Sequence, residues 1–466
     1  MANPIKLFVD GVEASISFGE PTRVFLGVDR RVLTVDGFVG LSGFSFERGG
    51  TLQLALFVDA DFEVPRHIRF GEDLDDVELS RLVQPGAGIA VTIGEPWPVV
   101  ATSFSSKWAP FWAELAARPW EKVDVAWTFT TGSPRNRFFS ELERAGIDSP
   151  LRFPGLGIMK AIPFVGASAD TARVLDRSVR YQLQRRFQHR GIKAYPAALA
   201  GAPCTNLPSY ALPGVGTVTA HDSHHFTLQP LAAAFRLTGS PLALDQICAL
   251  LTHALATEAY FDAGWHWPYG NIPRPAGWLN VALADALECL PFGFPWTSPL
   301  YEKVLDVAHE HVQLQRSIGF SPEGRSNLFG GPDARHLLVD CNFPWQDAVQ
   351  AFGLLRLDEL AGIEGAREHG IALLDSIEAF GWNPATGVAY DSIPHFAKDF
   401  GVAPKASPGN GIGTWIAPAL VLANRLDSPL LAALVKTAKA AKIGGKPWFS
   451  PFNWQAVSSF GPLVEG

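Results

Sequence analysis

Charge is scarce in this 466-residue chain. Asp, Glu, Lys and Arg make up only 18% of it, against roughly a quarter in an ordinary globular domain, which argues against a rod of ion-paired helices. Lys and Arg number 38 against 46 Asp and Glu, for a net charge of −8. No basic run is present that could neutralise a phosphate backbone, which excludes nucleic acid as a partner. Cysteine is rare as well: Cys204, Cys248, Cys289 and Cys341 stand far apart, without the close pairs of zinc ribbons or thiol redox motifs, so buried thiols are expected. No stretch reaches the ~18–20 apolar residues that a membrane span needs, so membrane insertion is not expected. The opening MANPIKLFVDGVEAS lacks the apolar core of a signal peptide. A soluble, cytoplasmic protein is expected, or a secreted or periplasmic one if a leader was removed. A Gly-rich phosphate loop after a strand, a Gly-x-Ser-x-Gly elbow and a His-Glu-x-x-His pair are all missing, which argues against nucleotide-dependent chemistry.

What is present is apolar and aromatic surface. Apolar residues make up 47% of the chain, and Phe (32) and Trp (14) far outnumber Tyr (7). That is enough to build large cores, and more planar surface than a core alone requires. The length implies two domains or one large toroidal unit.

Two periods divide the chain. Over residues 1–130, short alternating runs such as KLFVDG, TRVFLGV and LQLALFVDA are punctuated by Gly and Pro and predict an antiparallel β-sandwich-like domain. Val9-Asp10-Gly11 and Val35-Asp36-Gly37 read as hairpin turns of type I′, whose two central residues need positive φ. Residues 131–167 read as a connection. Residues 168–466 carry helical periods. Three Ser-Pro-Leu turns, at Ser240, Ser298 and Ser428, each link two apolar helical runs, with Ser capping the second helix and Pro at its first position. A fourth hairpin, QDAVQAFGLLRLDELAGIEGAREHGIALLDSI, completes a repeat of about 60 residues. Repeated helical hairpins stack into a solenoid or close into a ring. The long segments 200–225, 260–277, 318–345, 381–411 and 443–455 would lie on one face, as functional loops do on rigid scaffolds. The fold class expected is therefore α+β multi-domain, a β domain followed by an α/α toroid.

Two stretches carry a resemblance to a known group. HDSHHFTLQPLAAAFRLTGSPLALDQICALLTHAL and RPAGWLNVALADALECLP resemble the α/α-toroid enzymes that degrade polysaccharides, especially polysaccharide lyases and the unsaturated glucuronyl and rhamnogalacturonyl hydrolases. The resemblance covers residues 200–300 and implies a carbohydrate-active enzyme. The small number of clear hairpins implies an incomplete ring. A β domain placed first is similar to the order in exo-acting rhamnogalacturonan-lyase-like proteins.

The candidate chemistry falls in the long segments. His221, Asp222, Ser223, His224 and His225 precede an apolar helix. Imidazole titrates near neutrality, and a neighbouring carboxylate can fix its tautomer. A divalent metal at His221, Asp222 and His225 is the lesser option, and no cofactor is otherwise expected. GWHWPYGNIPRPAGW brings Trp265, His266, Trp267, Tyr269, Asn271, Arg274 and Trp278, with Asn280 one turn into the next helix. Aromatic faces stack on sugar rings, while Asn, Arg and Tyr bind hydroxyls and carboxylates. Later segments add Arg325, Arg335, His336, Asp340, Asn342 and Trp345, then Tyr390, Asp391 and His395, then Asn410 and Trp415.

The expected partner is a poly- or oligosaccharide. For β-elimination of an acidic glycan, the expected catalytic set is His224 or His225 as base, Tyr269 as acid, and Asn271 with Arg274 on the carboxylate. The expected substrate-binding set is His221, Asp222, Trp265, His266, Trp267, Trp278, Asn280, His336, Asn342, Trp345, Tyr390 and Trp415. A glycoside hydrolase would instead use two carboxylates, for which Asp222, Asp340 and Asp391 are available. A non-catalytic glycan-binding or structural component of a surface or viral assembly is the third reading. His309 and His311, near the end of an outer helix, are expected to be solvated or dipole-complementing residues rather than ligands.

Overall fold

The computed structural model describes residues 6–25, 27–59, 64–71, 80–83, 88–94, 179, 209–212, 216–219, 228–256, 273–290, 297–328, 341–395, 403–406, 413–440, 442–443 and 446–447. The expected connection, 131–167, lies outside the described residues. Helices and several antiparallel sheets make this an α+β protein.

The first part contains β1 (Leu7–Val9), β2 (Val12–Ala14), β3 (Ile16–Phe18), β4 (Thr22–Phe25), β5 (Val28–Val35), β6 (Leu41–Arg48), β7 (Thr51–Val58), β8 (Arg66–Phe70), β9 (Ser80–Val83) and β10 (Gly88–Ile93). They form two antiparallel sheets, β2-β1-β8-β9 and β10-β7-β6-β5-β3, with β4 also on β5. Asp10 and Gly11 have φ of 52° and 82° between the paired residues Val9 and Val12, the geometry of a type I′ turn. At Asp36-Gly37 the expectation fails in detail. Left-handed φ occurs at Gly37 and Gly40 rather than at Asp36, and the hairpin closes only at Thr34 and Ser42. Asp36 is committed elsewhere: its amide donates to the Ser15 carbonyl and its carboxylate accepts from the Ser17 hydroxyl. The tight two-residue turn sits instead at Gly49-Gly50, between Arg48 and Thr51.

Strand β7 reads as a near-continuous apolar run because both its faces are covered. Leu54, Leu56 and Val58 join Leu7, Val9, Ile68 and Phe70 of the other sheet in one core. Ala55 and Phe57, on the opposite face, join a core made mostly of helical residues. Gln53, on that second face, is 2% exposed. Its Oε1 accepts from the Ser240 hydroxyl and the Leu242 amide, both at 3.4 Å, tying the sheet to the start of a helix.

The helices are α1 (Gln229–Thr238), α2 (Pro241–Ala256), α3 (Pro273–Cys289), α4 (Ser298–Ile318), α5 (Pro344–Ala361), α6 (Ala366–Phe380), α7 (Gly413–Leu422) and α8 (Pro429–Ala440). Helices α1, α3, α5 and α7 pack side by side in chain order, and each is backed by the helix that follows it. The inner layer is buried on all sides, as in α5, where Ala348 to Leu355 are all buried. Outer α4 buries one stripe, Val304, Val307, Ala308, His311, Val312 and Gln315, at helical spacing.

Glycines let α3 and α5 approach closely. A Cβ on Gly353 would stand 2.5 Å from the Asn280 Cβ and 2.8 Å from the Val281 amide, and one on Gly277 would stand 2.9 Å from the Gln350 amide. Residues 277 and 350, 280 and 353, and 285 and 356 meet in the same order. The two helices therefore run parallel and begin at the same end.

Of the three Ser-Pro-Leu turns, two cap as expected. The Ser240 hydroxyl accepts from the Ala243 amide and that of Ser428 from the Leu431 amide, each at 3.3 Å. Ser298 does not cap. Helix α4 starts one residue early, with the Tyr301 amide on the Thr297 carbonyl, so Ser298 lies inside it. Segment 381–411 is also more ordered than the expected loop. β14 (Trp382–Asn383), β15 (Val388–Pro394) and β16 (Lys405–Ala406) form a small sheet with β13 (Cys341–Asn342). In segment 200–225, β11 (Ser209–Leu212) pairs with β12 (Gly216–Thr219). Cys248, Cys289 and Cys341 are thiols. Among the described residues no helix is long and apolar enough to cross a membrane.

Candidate functional site

The common starting end of α3 and α5 gathers the polar groups best suited to chemistry. Pro273 and Pro344 open the two helices, where a missing amide hydrogen costs nothing. The next residue of each is functional in type. The Arg274 guanidinium carbon lies 5.2 Å from the centre of the Trp345 ring, and both side chains are half-buried. A cation over a ring face at this distance is an attractive arrangement.

Asn342 leads into α5 from β13, which pairs with β15 through Asn342 and Ile393. Its Nδ2 donates to the Ser326 carbonyl at 2.7 Å and the Leu328 carbonyl at 3.3 Å. Its Oδ1 lies 2.8 Å from Nδ1 of His395, which is 8% exposed. Arg325 holds the same corner, donating to the carbonyls of Pro394 at 2.7 Å and His395 at 3.1 Å. Leu328 packs on Ala276 in the first turn of α3. The Arg274–Trp345 pair and the Asn342–His395 pair thus both lie at residues that open or lead into α3 and α5. Asp391, on β15, is buried near this corner, while Tyr390 on the same strand is only half-buried and pairs with Ala406 of β16.

Three residues expected on the binding face are core residues instead. Trp278 is 0% and Trp415 3% exposed, packed edge to face with ring centres 5.1 Å apart, and Phe352 adds a third ring 6.2 Å from Trp415. No ring face is left for a sugar. Asn280 is 0% exposed and exchanges both amide hydrogen bonds with Gln315, at 3.0 and 2.9 Å, while Gln350 adds a third at 2.6 Å. Their helical register, which suggested an opening at the cleft, turns them into the interior. His311 is a further correction: it is 1% exposed, and its Nε2 approaches the Ala276 carbonyl at 3.4 Å, while burial pulls its pKa down to about 4. The apolar stripe of α4 includes it, and that stripe is the signal that could have placed it inside.

His221, Asp222, His224, His225, Trp265, His266, Trp267, Tyr269, Asn271 and His336 lie outside the described residues. Among the described residues no group of three His, Cys, Asp or Glu side chains is arranged to hold a metal.

Two buried acids complete the electrostatics. Asp347 is 2% exposed, its Oδ1 has no hydrogen-bond partner among the described residues, and burial raises its carboxyl well above the usual range. Asp285 is pushed up by burial and pulled back by Arg356, whose Nη1 lies 2.5 Å away. Arg356 also binds Glu288 at 2.5 Å, and Arg236 binds Glu288 at 2.7 Å. This ionic group ties α1, α3 and α5 together.

No protein-family model and no curated protein matches the chain. Among solved structures the chain is similar to the crystal structure of a family 76 glycoside hydrolase from a bovine Bacteroides thetaiotaomicron strain. The identity is 10% and the TM-score 0.39, over 97% of this chain and 99% of that one.

Proposed function

We propose that this protein is a carbohydrate-active enzyme, that its eight described helices are an arc of an α/α toroid, and that the site lies where α3 and α5 begin. The observation that carries the reading is the Arg274 guanidinium over the Trp345 ring at that end, with the Asn342–His395 pair on the residues that lead into α5. A half-buried guanidinium beside a ring face suits an anionic sugar, because the cation binds the carboxylate while the ring takes the apolar face of the pyranose. An imidazole nearby supplies proton transfer near neutral pH. With the carboxylate neutralised, the proton next to it becomes acidic enough to remove, which favours β-elimination of an acidic poly- or oligosaccharide. In this reading Arg274 and Asn271 hold the carboxylate, Tyr269 protonates the leaving oxygen, and a histidine removes the proton.

Hydrolysis on the same scaffold is the second reading, favoured by the buried Asp391 on the strand that leads to His395. A panel of acidic and neutral glycans separates the two. Elimination yields products with the ultraviolet absorbance of an unsaturated uronide, and Arg274→Ala should lower that rate by ~10²-fold or more, as removal of a charge-stabilising group does. New reducing ends without that absorbance would reject elimination in favour of hydrolysis. No cleavage of any glycan would reject both.

A further inference from the structure

We propose that Asn280, Gln315 and Gln350 are positioning residues: their buried amide cluster fixes the register of α3 against α5 and thereby holds the Arg274 guanidinium over the Trp345 ring. The assignment rests on the reading above, in which that pair binds an acidic sugar. All three amide side chains belong to residues that are 0% exposed. Gln315, near the end of α4, stands at their centre. Its Nε2 donates to the His311 carbonyl at 3.3 Å and to Asn280 Oδ1 at 2.9 Å. A backbone carbonyl only accepts, so the Gln315 amide cannot be turned around. Its Oε1 accepts from Asn280 Nδ2 at 3.0 Å and from Gln350 Nε2 at 2.6 Å. Both hydrogens and both lone pairs of Gln315 are thus used, and the three side chains have one arrangement.

Depth and register are set separately. Gly277 against the Gln350 backbone and Gly353 against Asn280 let α3 and α5 come close. Close apolar contact is non-directional and tolerates sliding. Hydrogen bonds do not: a slide of one helical turn, ~5.4 Å, would part at least one of the bonds to Gln315 and leave a buried amide unpaired. Asn280 lies about one and a half turns past Arg274 in α3, and Gln350 about one and a half turns past Trp345 in α5. The cluster therefore sits at the same depth behind both members of the pair, and moving one helix along the other carries the guanidinium off the ring. Stability alone does not account for these amides. Gln350 Oε1 has no hydrogen-bond partner among the described residues, and an orphaned buried acceptor has a cost that an apolar side chain would avoid.

The test reads the Trp345 ring directly. In the full chain labelled with fluorotryptophan, Trp345→Phe identifies its fluorine NMR resonance, and Arg274→Gln marks the position of that resonance without the cation. Combining Asn280→Leu, Gln315→Met and Gln350→Met removes the three amides together and leaves none of them unpaired. This variant should keep its far-ultraviolet circular dichroism, while its Trp345 resonance moves toward the position seen in Arg274→Gln. Gln350→Met alone, which keeps the Asn280–Gln315 pair, should move it in the same direction and serves if the triple variant does not fold. On a glycan cleaved by the wild type, kcat/KM of either folded variant should fall by ~10-fold or more, as misplacement by about an ångström does. A folded variant with the Trp345 resonance at its wild-type position would overturn the proposal, because a cluster that only stabilises the core shifts the denaturation midpoint and leaves that signal in place. A wild type that releases no unsaturated product would overturn the eliminative reading instead, and the resonance tells the two failures apart.

Discussion

His311 and His369 show how much one buried ring can set. Each has its pKa pulled down to about 4, His311 by burial and His369 by burial with the nearby charge of Arg316. In the unfolded chain both titrate near ~6.5. A depressed folded pKa means that the unfolded chain binds more protons between those values. The stability these rings contribute is present above ~6.5 and is lost as pH falls towards 4. Asp347 acts in the opposite sense, since its raised pKa makes stability fall as pH rises above the ordinary carboxyl value. Comparing wild type with His311→Gln isolates the histidine. Urea unfolding at pH 7 and pH 4.5 should show the wild type losing roughly 2 kcal/mol more than the variant. A difference that does not change with pH would reject the argument. At this scale the sequence was legible in residue type and misleading in exposure. Trp278, Trp415 and Asn280 are polar or aromatic groups at a helix start, yet neighbours from α4, α5 and α7 enclose them. Those neighbours are distant in the chain, and no local pattern announces them.

At the scale of elements, the inner helices hold together through a polar group as well as through apolar packing. Arg356 bridges Asp285 and Glu288 of α3, and Glu288 also binds Arg236 of α1. The Asp285 side chain is fully shielded from solvent. Removing the arginine leaves a buried carboxylate without its counter-ion, so Arg356→Met should cost roughly 3–5 kcal/mol. Adding Asp285→Asn should recover part of that loss, because the uncompensated charge goes with it. Chemical denaturation of the two variants measures both values, and a double variant no more stable than the single would count against the pairing. The hairpins themselves were readable from capping chemistry and period. Gly362 and Gly365, both at positive φ, close the α5–α6 turn where the sequence places them. The small sheet of β13 to β16 was not readable as a sheet, because its strands are short and come from segments either side of α5 and α6. Pairing over that separation is decided by the helices that bring the strands together.

At the scale of the whole molecule, the second sheet belongs to two cores. Its one face packs on the first sheet, and its other face, through Val28, Phe46, Ala55 and Phe57, packs into the core of the helices. Gln53 adds a polar tie across the same boundary. A continuous core couples the unfolding of its parts. The β part and the helical part should therefore melt in one transition, with calorimetric and van't Hoff enthalpies in agreement. Two resolved transitions would show that the shared core is too weak to couple them.

By itself the sequence determined the strand-rich first part and the helical hairpins, where most turns fall, and that Arg, His, Asn and Trp collect near helix starts. These are local matters of period, φ preference and capping, settled within a few residues of chain. Tertiary structure alone decided which of those side chains meet. Asn342 and His395 are 53 residues apart in sequence, and β13 and β15 bring them to 2.8 Å. It also decided which aromatic rings keep an open face, because burial depends on the packing of several distant helices at once and no single segment encodes it.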